Sequence, residues 1–255
     1  MFDGHIENPV AIAALILAVL VGAPLAGLAL LKPSPRAERD AGLFALGAAY
    51  LAGVALLVPL NLLNWMQGGP MVIVFGAEGM DTGLVEYVTV ANFALIAAGC
   101  AALGLRRADL WRWPLLGAAV LAVIALGEEI SWGQWIFRWS SPEAFARHNL
   151  QGETNLHNFL PPWAFEAAYA LVGSGLIAVA AVLALSKPER VPAVARPAAA
   201  HLARLRLAVP LIVASGVLMQ HHVFQELSEL ALTGTVVYAL AGLRPFGRLA
   251  SAVSA

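Results

Sequence analysis

Along this chain, apolar runs about a bilayer thick alternate with short polar stretches. A helix needs roughly 20 apolar residues to cross the hydrocarbon core. Uncharged runs of that length cover 9–31 and 41–65, and a third, 85–105, has Glu86 at its start. A fourth, 114–137, carries Glu128 and Glu129 in its second half, and a fifth, 163–185, has Glu166 in its first turn. Beyond them, 207–243 is interrupted only by Glu226 and Glu229. As one helix that stretch would be about 55 Å long, more than a bilayer accommodates. It is therefore predicted to form two spans, 207–222 and 226–243. The expected fold is all-α: a polytopic bundle of seven transmembrane helices forming a single transmembrane domain over 1–255. The Pro- and Ala-rich segment 186–206 is expected to be a flexible cytoplasmic linker. The Gly-rich loop 68–83 contains a short apolar stretch, 71–75, that reads as re-entrant or interfacial.

Composition sharpens this picture. Of 255 residues, 60% are hydrophobic and 12% charged, about half the charge of a soluble domain. That excludes disorder and a water-soluble globule. The net charge of -1 gives no attraction to nucleic acid, and no nucleotide cofactor is expected. Cys100 is the single cysteine, so no disulfide framework exists within the chain. No Lys or Arg precedes the run 9–31, which is longer than a signal-peptide core and reads as a retained anchor.

Lys and Arg collect on the cytoplasmic side of membrane proteins. With seven spans, 13 of the 15 fall in one set of connections and the tail, leaving only Arg138 and Arg147 in the other. The N-terminus is thus expected outside and the C-terminus inside. Trp65 and Trp163 then sit at the outer interface, Trp111 and Trp113 at the inner one. Trp132, Trp135 and Trp139 make a denser outer cluster than an aromatic belt requires.

The unusual polar residues fall on the outer side. The first group is GEEISWGQ, 127–134. Glu128 and Glu129 lie 14 to 15 residues into span four, about 21–23 Å deep. Ionisable groups at that depth are functional candidates by default, and adjacent carboxylates push at least one pKa up, which suits general acid–base work. On a helix, Glu128, Ser131, Trp132 and Trp135 would share a face. The second group, HNLQGETNLHN at 148–158, concentrates His148, Asn149, Gln151, Glu153, Asn155, His157 and Asn158. The third, HHVFQELSE at 221–229, would place His222, Glu226 and Glu229 on one helical face, a form bundles use to hold metals. A minor fourth comprises Asn61, Asn64, Asp81 and Glu86. Each has a structural reading too: carboxylates at a helix end, a loop held by Asx turns, a surface crossover between spans. Ser131 reads more readily as a helix–helix hydrogen-bonding residue than as a nucleophile.

Two functional readings follow. In the first, a metal-dependent hydrolase or transferase acts on a lipid or lipid-linked substrate from the outer leaflet. A divalent ion (zinc, iron or manganese) would be held by His157, His222 and Glu226, with His221 as a substitute, and would activate water. Glu128 or Glu129 would be the general base. Ser131, Asn155 and Asn158 would donate hydrogen bonds, with Trp132, Gln134, His148, Asn149, Gln151, Glu153 and Glu229 around them. In the second, the protein is a proton- or cation-coupled transporter, or a non-catalytic membrane scaffold whose outer loops bind a partner. Retinal is excluded, because the only lysines, Lys32 and Lys187, lie in loops.

The ExxS spacing of Glu128 and Ser131 resembles part of the ExxSxxxH element of the ceramidase and adiponectin-receptor superfamily. The histidine position holds Trp135, and the closing HxxxH would fall on His222 and Glu226, so the analogy is one of chemistry. A closer likeness covers about 30 residues. GEEISWGQ followed by Asn149, Gln151, Glu153, Asn155, His157 and Asn158 resembles a signature of uncharacterised bacterial multi-pass membrane proteins. It implies a bacterial inner-membrane protein and no particular activity. The oligomeric state is open.

Overall fold

The computed structural model describes residues 9–31, 41–68, 71–76, 83–186 and 190–243. His5, Lys32, Arg36, Glu38, Arg39, Asp40, Asp81, Lys187, Glu189, Arg244 and Arg248 lie outside the described residues. Within them every regular element is a helix. Four helices are long and apolar enough to cross a membrane: α1 (Pro9–Leu31), α2 (Ala41–Met66), α4 (Leu84–Leu105) and α8 (Pro162–Leu185). At 22 to 26 residues they extend about 33–39 Å. A helix satisfies its own backbone, which is what hydrocarbon demands. Most of their large apolar side chains remain exposed, as lipid-facing residues would be.

The expected count of seven is corrected to four. Helix α5 (Arg112–Glu129) has 18 residues and carries Arg112, Glu128 and Glu129. It stops at Glu129 rather than running to Phe137, and the short α6 (Gln134–Phe137) follows a break. The apolar stretch after 207 divides into α10 (Ala208–Leu218), 11 residues and about 16 Å long, and α11 (Gln225–Ala241), 17 residues. Apolar composition alone does not register where the backbone turns. The other elements are α3 (Val72–Phe75) in the Gly-rich loop, α7 (Glu143–His148), and α9 (Arg196–Leu202). The last lies inside the expected linker. Ala199 and Leu205 are buried there, and His201 Nε2 meets the Ala239 carbonyl at 2.8 Å, so the second half of that segment is docked.

The chain divides into two compact units, residues 1–63 with 166–255, and residues 64–165. In the first, α10 and α11 form an antiparallel pair. Ser215 Oγ and Thr235 Oγ1 lie 3.3 Å apart, and nearer the open end the Leu207 amide points at the Tyr238 hydroxyl, 3.5 Å away. Small residues let the other helices approach. A Cβ on Gly22 of α1 would meet Val213 at 2.7 Å, and one on Gly234 of α11 would meet the Tyr50 ring of α2 at 2.4 Å. One crossing is backbone on backbone. A Cβ on Gly216 of α10 would lie 2.7 Å from the Gly173 carbonyl oxygen of α8, and one on Gly173 the same distance from the Gly216 oxygen. Such small-residue crossings replace the hydrophobic drive that lipid removes. Two apolar clusters fill the remainder, one of Leu25, Ala180, Val209, Ile212 and Val213 among others, the second around Leu207, Leu211 and Tyr238.

In the second unit, α4 and α5 pack as a hairpin. Its turn is closed by Arg107, whose Nε and Nη2 donate to the two Asp109 carboxylate oxygens at 2.8 and 2.5 Å. That guanidinium holds the Asp109 carboxyl below the usual range. Beyond α5 the chain returns through α6 and α7 to the start of α8, and this connection carries the site.

Candidate functional site

Helix α5 ends at Glu129, and Ser131, Trp132 and Gly133 then take positive φ values of 46°, 53° and 84° in succession. Only glycine occupies that region freely. For Ser131 and Trp132 it costs roughly 1–2 kcal/mol each, so neighbouring contacts must hold the turn. The shared helical face expected for Glu128, Ser131, Trp132 and Trp135 therefore does not form. What replaces it accounts for GEEISWGQ residue by residue. The Trp132 indole lies against Gly127, where a Cβ would sit 2.9 Å from the ring. Its Nε1 donates to Glu128 Oε1 at 2.7 Å. Gly133 takes the largest φ. Gln134 Oε1 accepts from the Thr154 amide at 2.8 Å, and its Nε2 donates to Ser141 Oγ at 3.0 Å.

The loop 148–158 closes onto this turn. The Leu150 amide donates to the Asn158 carbonyl at 2.9 Å, and Asn158 Nδ2 to Gln151 Oε1 at 2.8 Å. Asn149 sits at the centre. Its Nδ2 donates to Asn155 O and Oδ1, both at 2.8 Å, and its Oδ1 accepts from the Gln151 and Glu153 amides at 2.9 and 3.2 Å. This is an Asx turn carried one step further. Gly152, at φ 69°, permits the bend, and its carbonyl accepts from Ser141 Oγ at 2.6 Å.

Two further sets of contacts weld turn to loop. Ser131 Oγ donates to Glu153 Oε2 at 2.5 Å, and Asn155 Nδ2 donates to both, at 3.2 and 3.1 Å. Ser131 is 1% exposed and Asn155 fully buried. A buried carboxylate is tolerable only when so bonded. Second, Glu128 Oε2 accepts from the Leu156 and His157 amides at 2.6 and 3.0 Å and faces His157 Nδ1 at 3.5 Å. Glu128 thus receives three N–H donors and an imidazole. The His157 ring stays about one-third exposed, with Phe165 edge-on beside it. Glu129 ends α5 half-buried, and His148 lies exposed at the end of α7.

The third group lies in the other unit. His222 is in a short 3₁₀ turn, His222–Phe224, ahead of α11, so it does not share a continuous helical face with Glu226 and Glu229. The His221 and His222 rings stack at 4.7 Å, and His221 Nδ1 accepts from the Val223 amide at 3.3 Å. Glu226 is half-buried in the first turn of α11. Glu229 accepts a short hydrogen bond from the Tyr169 hydroxyl of α8. Among the described residues, no three His, Cys, Asp or Glu side chains gather as metal ligands would. The expected ligand set is divided between the two units, His157 in one, His221, His222 and Glu226 in the other. In the minor group, Asn61 Nδ2 donates to the Val223 carbonyl at 2.5 Å, Asn64 Oδ1 accepts from the Met71 amide at 2.7 Å, and Glu86 is buried on α4.

Sequence reasoning passed over Ser141, Thr154 and Tyr169. Thr154 lies between two signature residues and Ser141 seven positions beyond Gln134, and both look like ordinary loop hydroxyls. Tyr169 follows Glu166 by three positions on one helix, the only local hint that this face is polar. No protein-family model, curated protein or solved structure matches the chain.

Proposed function

We propose that this is an integral membrane protein whose α5–α8 connection presents His157 as a general acid–base group for hydrolysis or group transfer on a lipid or lipid-linked substrate. The carrying observation is the Glu128–His157 pair. Glu128 is fixed by Trp132 and by the Leu156 and His157 amides, so its carboxylate is placed before any substrate arrives. Glu128 holds the His157 backbone amide and faces Nδ1 at 3.5 Å, placing a carboxylate where it pairs with a protonated ring. The partly exposed ring is the accessible titratable group of the arrangement, whereas Ser131, Glu153 and Asn155 are buried and spent on one another. The roles therefore shift from the expected ones: Glu128 positions, His157 reacts, and Ser131 holds the turn. The signature likeness supports a bacterial inner membrane.

The test uses full-length protein in nanodiscs and fluorescent phosphatidylethanolamine and phosphatidylglycerol, with products resolved by thin-layer chromatography. Turnover by wild type, reduced about 10²–10⁴-fold in His157→Ala and less in Glu128→Gln, is the expected result. Equal rates in wild type and His157→Ala, or no turnover of either lipid, would contradict it. A second reading, a non-catalytic scaffold, is favoured by one observation: nearly all polar side chains of the two signature segments are bonded to each other. It takes precedence if turnover is absent.

A further inference from the structure

The α5–α8 connection is polar on the inside and apolar on the outside. Ser131, Asn149, Glu153 and Asn155 are all buried. Phe137 is 71% exposed, Leu150 64%, Leu156 62% and Leu160 51%. A surface loop in water sorts the other way. The inversion runs through neighbours in sequence: buried Asn149 precedes exposed Leu150, and buried Asn155 precedes exposed Leu156.

We propose that this connection is immersed in the interfacial zone of the bilayer, with Phe137, Leu150, Leu156 and Leu160 among the acyl-chain ends and α7 facing water. Three observations select lipid as the occupant. The connection runs directly into α8, a helix long and apolar enough to span, whose second residue, Trp163, is largely exposed. Its exposed aromatics include Trp132 and Trp139, and tryptophan with nearby arginine (Arg138 here) suits the headgroup level. Irregular backbone at that depth must find its partners within the protein, and the Asn149, Glu153, Asn155 and Glu128 bonds supply them. Helix α7 gives the contrasting face: Glu143 and Arg147 pair across one turn, both largely exposed. The inference does not depend on an acid–base role for His157.

The experiment places single nitroxide labels at Phe137, Leu150, Leu156 and Leu160 of full-length protein in phosphatidylethanolamine–phosphatidylglycerol nanodiscs. Cys100→Ala supplies a cysteine-free background. Glu143 and Arg147 are the water-facing references, and Leu121, exposed on α5, the apolar one. Accessibility to oxygen and to a nickel chelate is read by power saturation. Immersion by about 5–10 Å is expected to raise the oxygen-to-nickel ratio at the four sites at least about threefold over Glu143. Ratios equal to those of Glu143 would overturn the proposal in favour of a water-exposed face. Low accessibility to both reagents would overturn it in favour of a second copy or another protein covering the patch.

Discussion

The α10–α11 pair and the α5–α8 connection both bury polar side chains, but by opposite means. In the helix pair the hydroxyls bond back to their own helix. Ser215 donates to the Leu211 carbonyl, Thr235 to Ala231 and Thr233 to Glu229, each four residues earlier. One hydroxyl pair, Ser215 and Thr235 at 3.3 Å, also reaches across the two helices, but shape is set mainly by glycine crossings such as Gly173 on Gly216. In the connection the polar groups reach 20 to 29 residues along the chain, Gln134 to Thr154 and Glu128 to His157. There the hydrogen bonds themselves define the shape. One region is held by closeness of backbone, the other by exchange of side-chain bonds, and the second can retain a strained turn that regular packing would erase.

This contrast implies different weak points. The largest effect belongs to the helix pair. Gly216→Ala drives a methyl into the Gly173 carbonyl, neither of which can yield, and is expected to destabilise by about 3 kcal/mol. Detergent-titrated unfolding measures it, while hydrogen-exchange protection over 149–158 stays as in wild type. Next is Asn149→Ala, which removes four hydrogen bonds from the connection. A loss of about 2–4 kcal/mol is expected, seen as exchange confined to 149–158. If global unfolding moved equally in both variants, the two regions would not be held by separate means. The smallest effect tests the strain. Arg138, exposed at φ 56°, ends α6 in the left-handed region. Arg138→Gly is expected to stabilise by about 1 kcal/mol, and Gly133→Ala at φ 84° to destabilise by a similar amount, both read from melting temperature.

The spans of α1, α2, α4 and α8 were legible because hydrocarbon leaves one solution, a helix of fixed length, and an uninterrupted apolar run states that length. The break between α10 and α11 was legible as an excess of length, with the polar HisHis segment marking its place. The end of α5 was not. Ser131 and Trp132 are residues that ordinarily avoid positive φ, so nothing local announces the turn, and the helical face drawn through Glu128, Ser131 and Trp135 was fictitious. The two polar segments were legible as unusual, but their mutual use was not. A carboxylate deep in an apolar run reads equally as a catalyst or as the acceptor of a distant loop's amides. Only the fold shows that Glu128 takes up the Leu156 and His157 backbone and that Glu153 serves Ser131.

The central claim is that the two signature segments form one hydrogen-bonded body. Hydrogen–deuterium exchange over 149–158, in wild type and in Glu128→Ala in nanodiscs, tests it most directly. Wild-type protection at Leu156 and His157 comparable to that of helix α5, lost in Glu128→Ala, is the expected result. Exchange in wild type at the rate of an open loop, or protection unchanged in the variant, would contradict it.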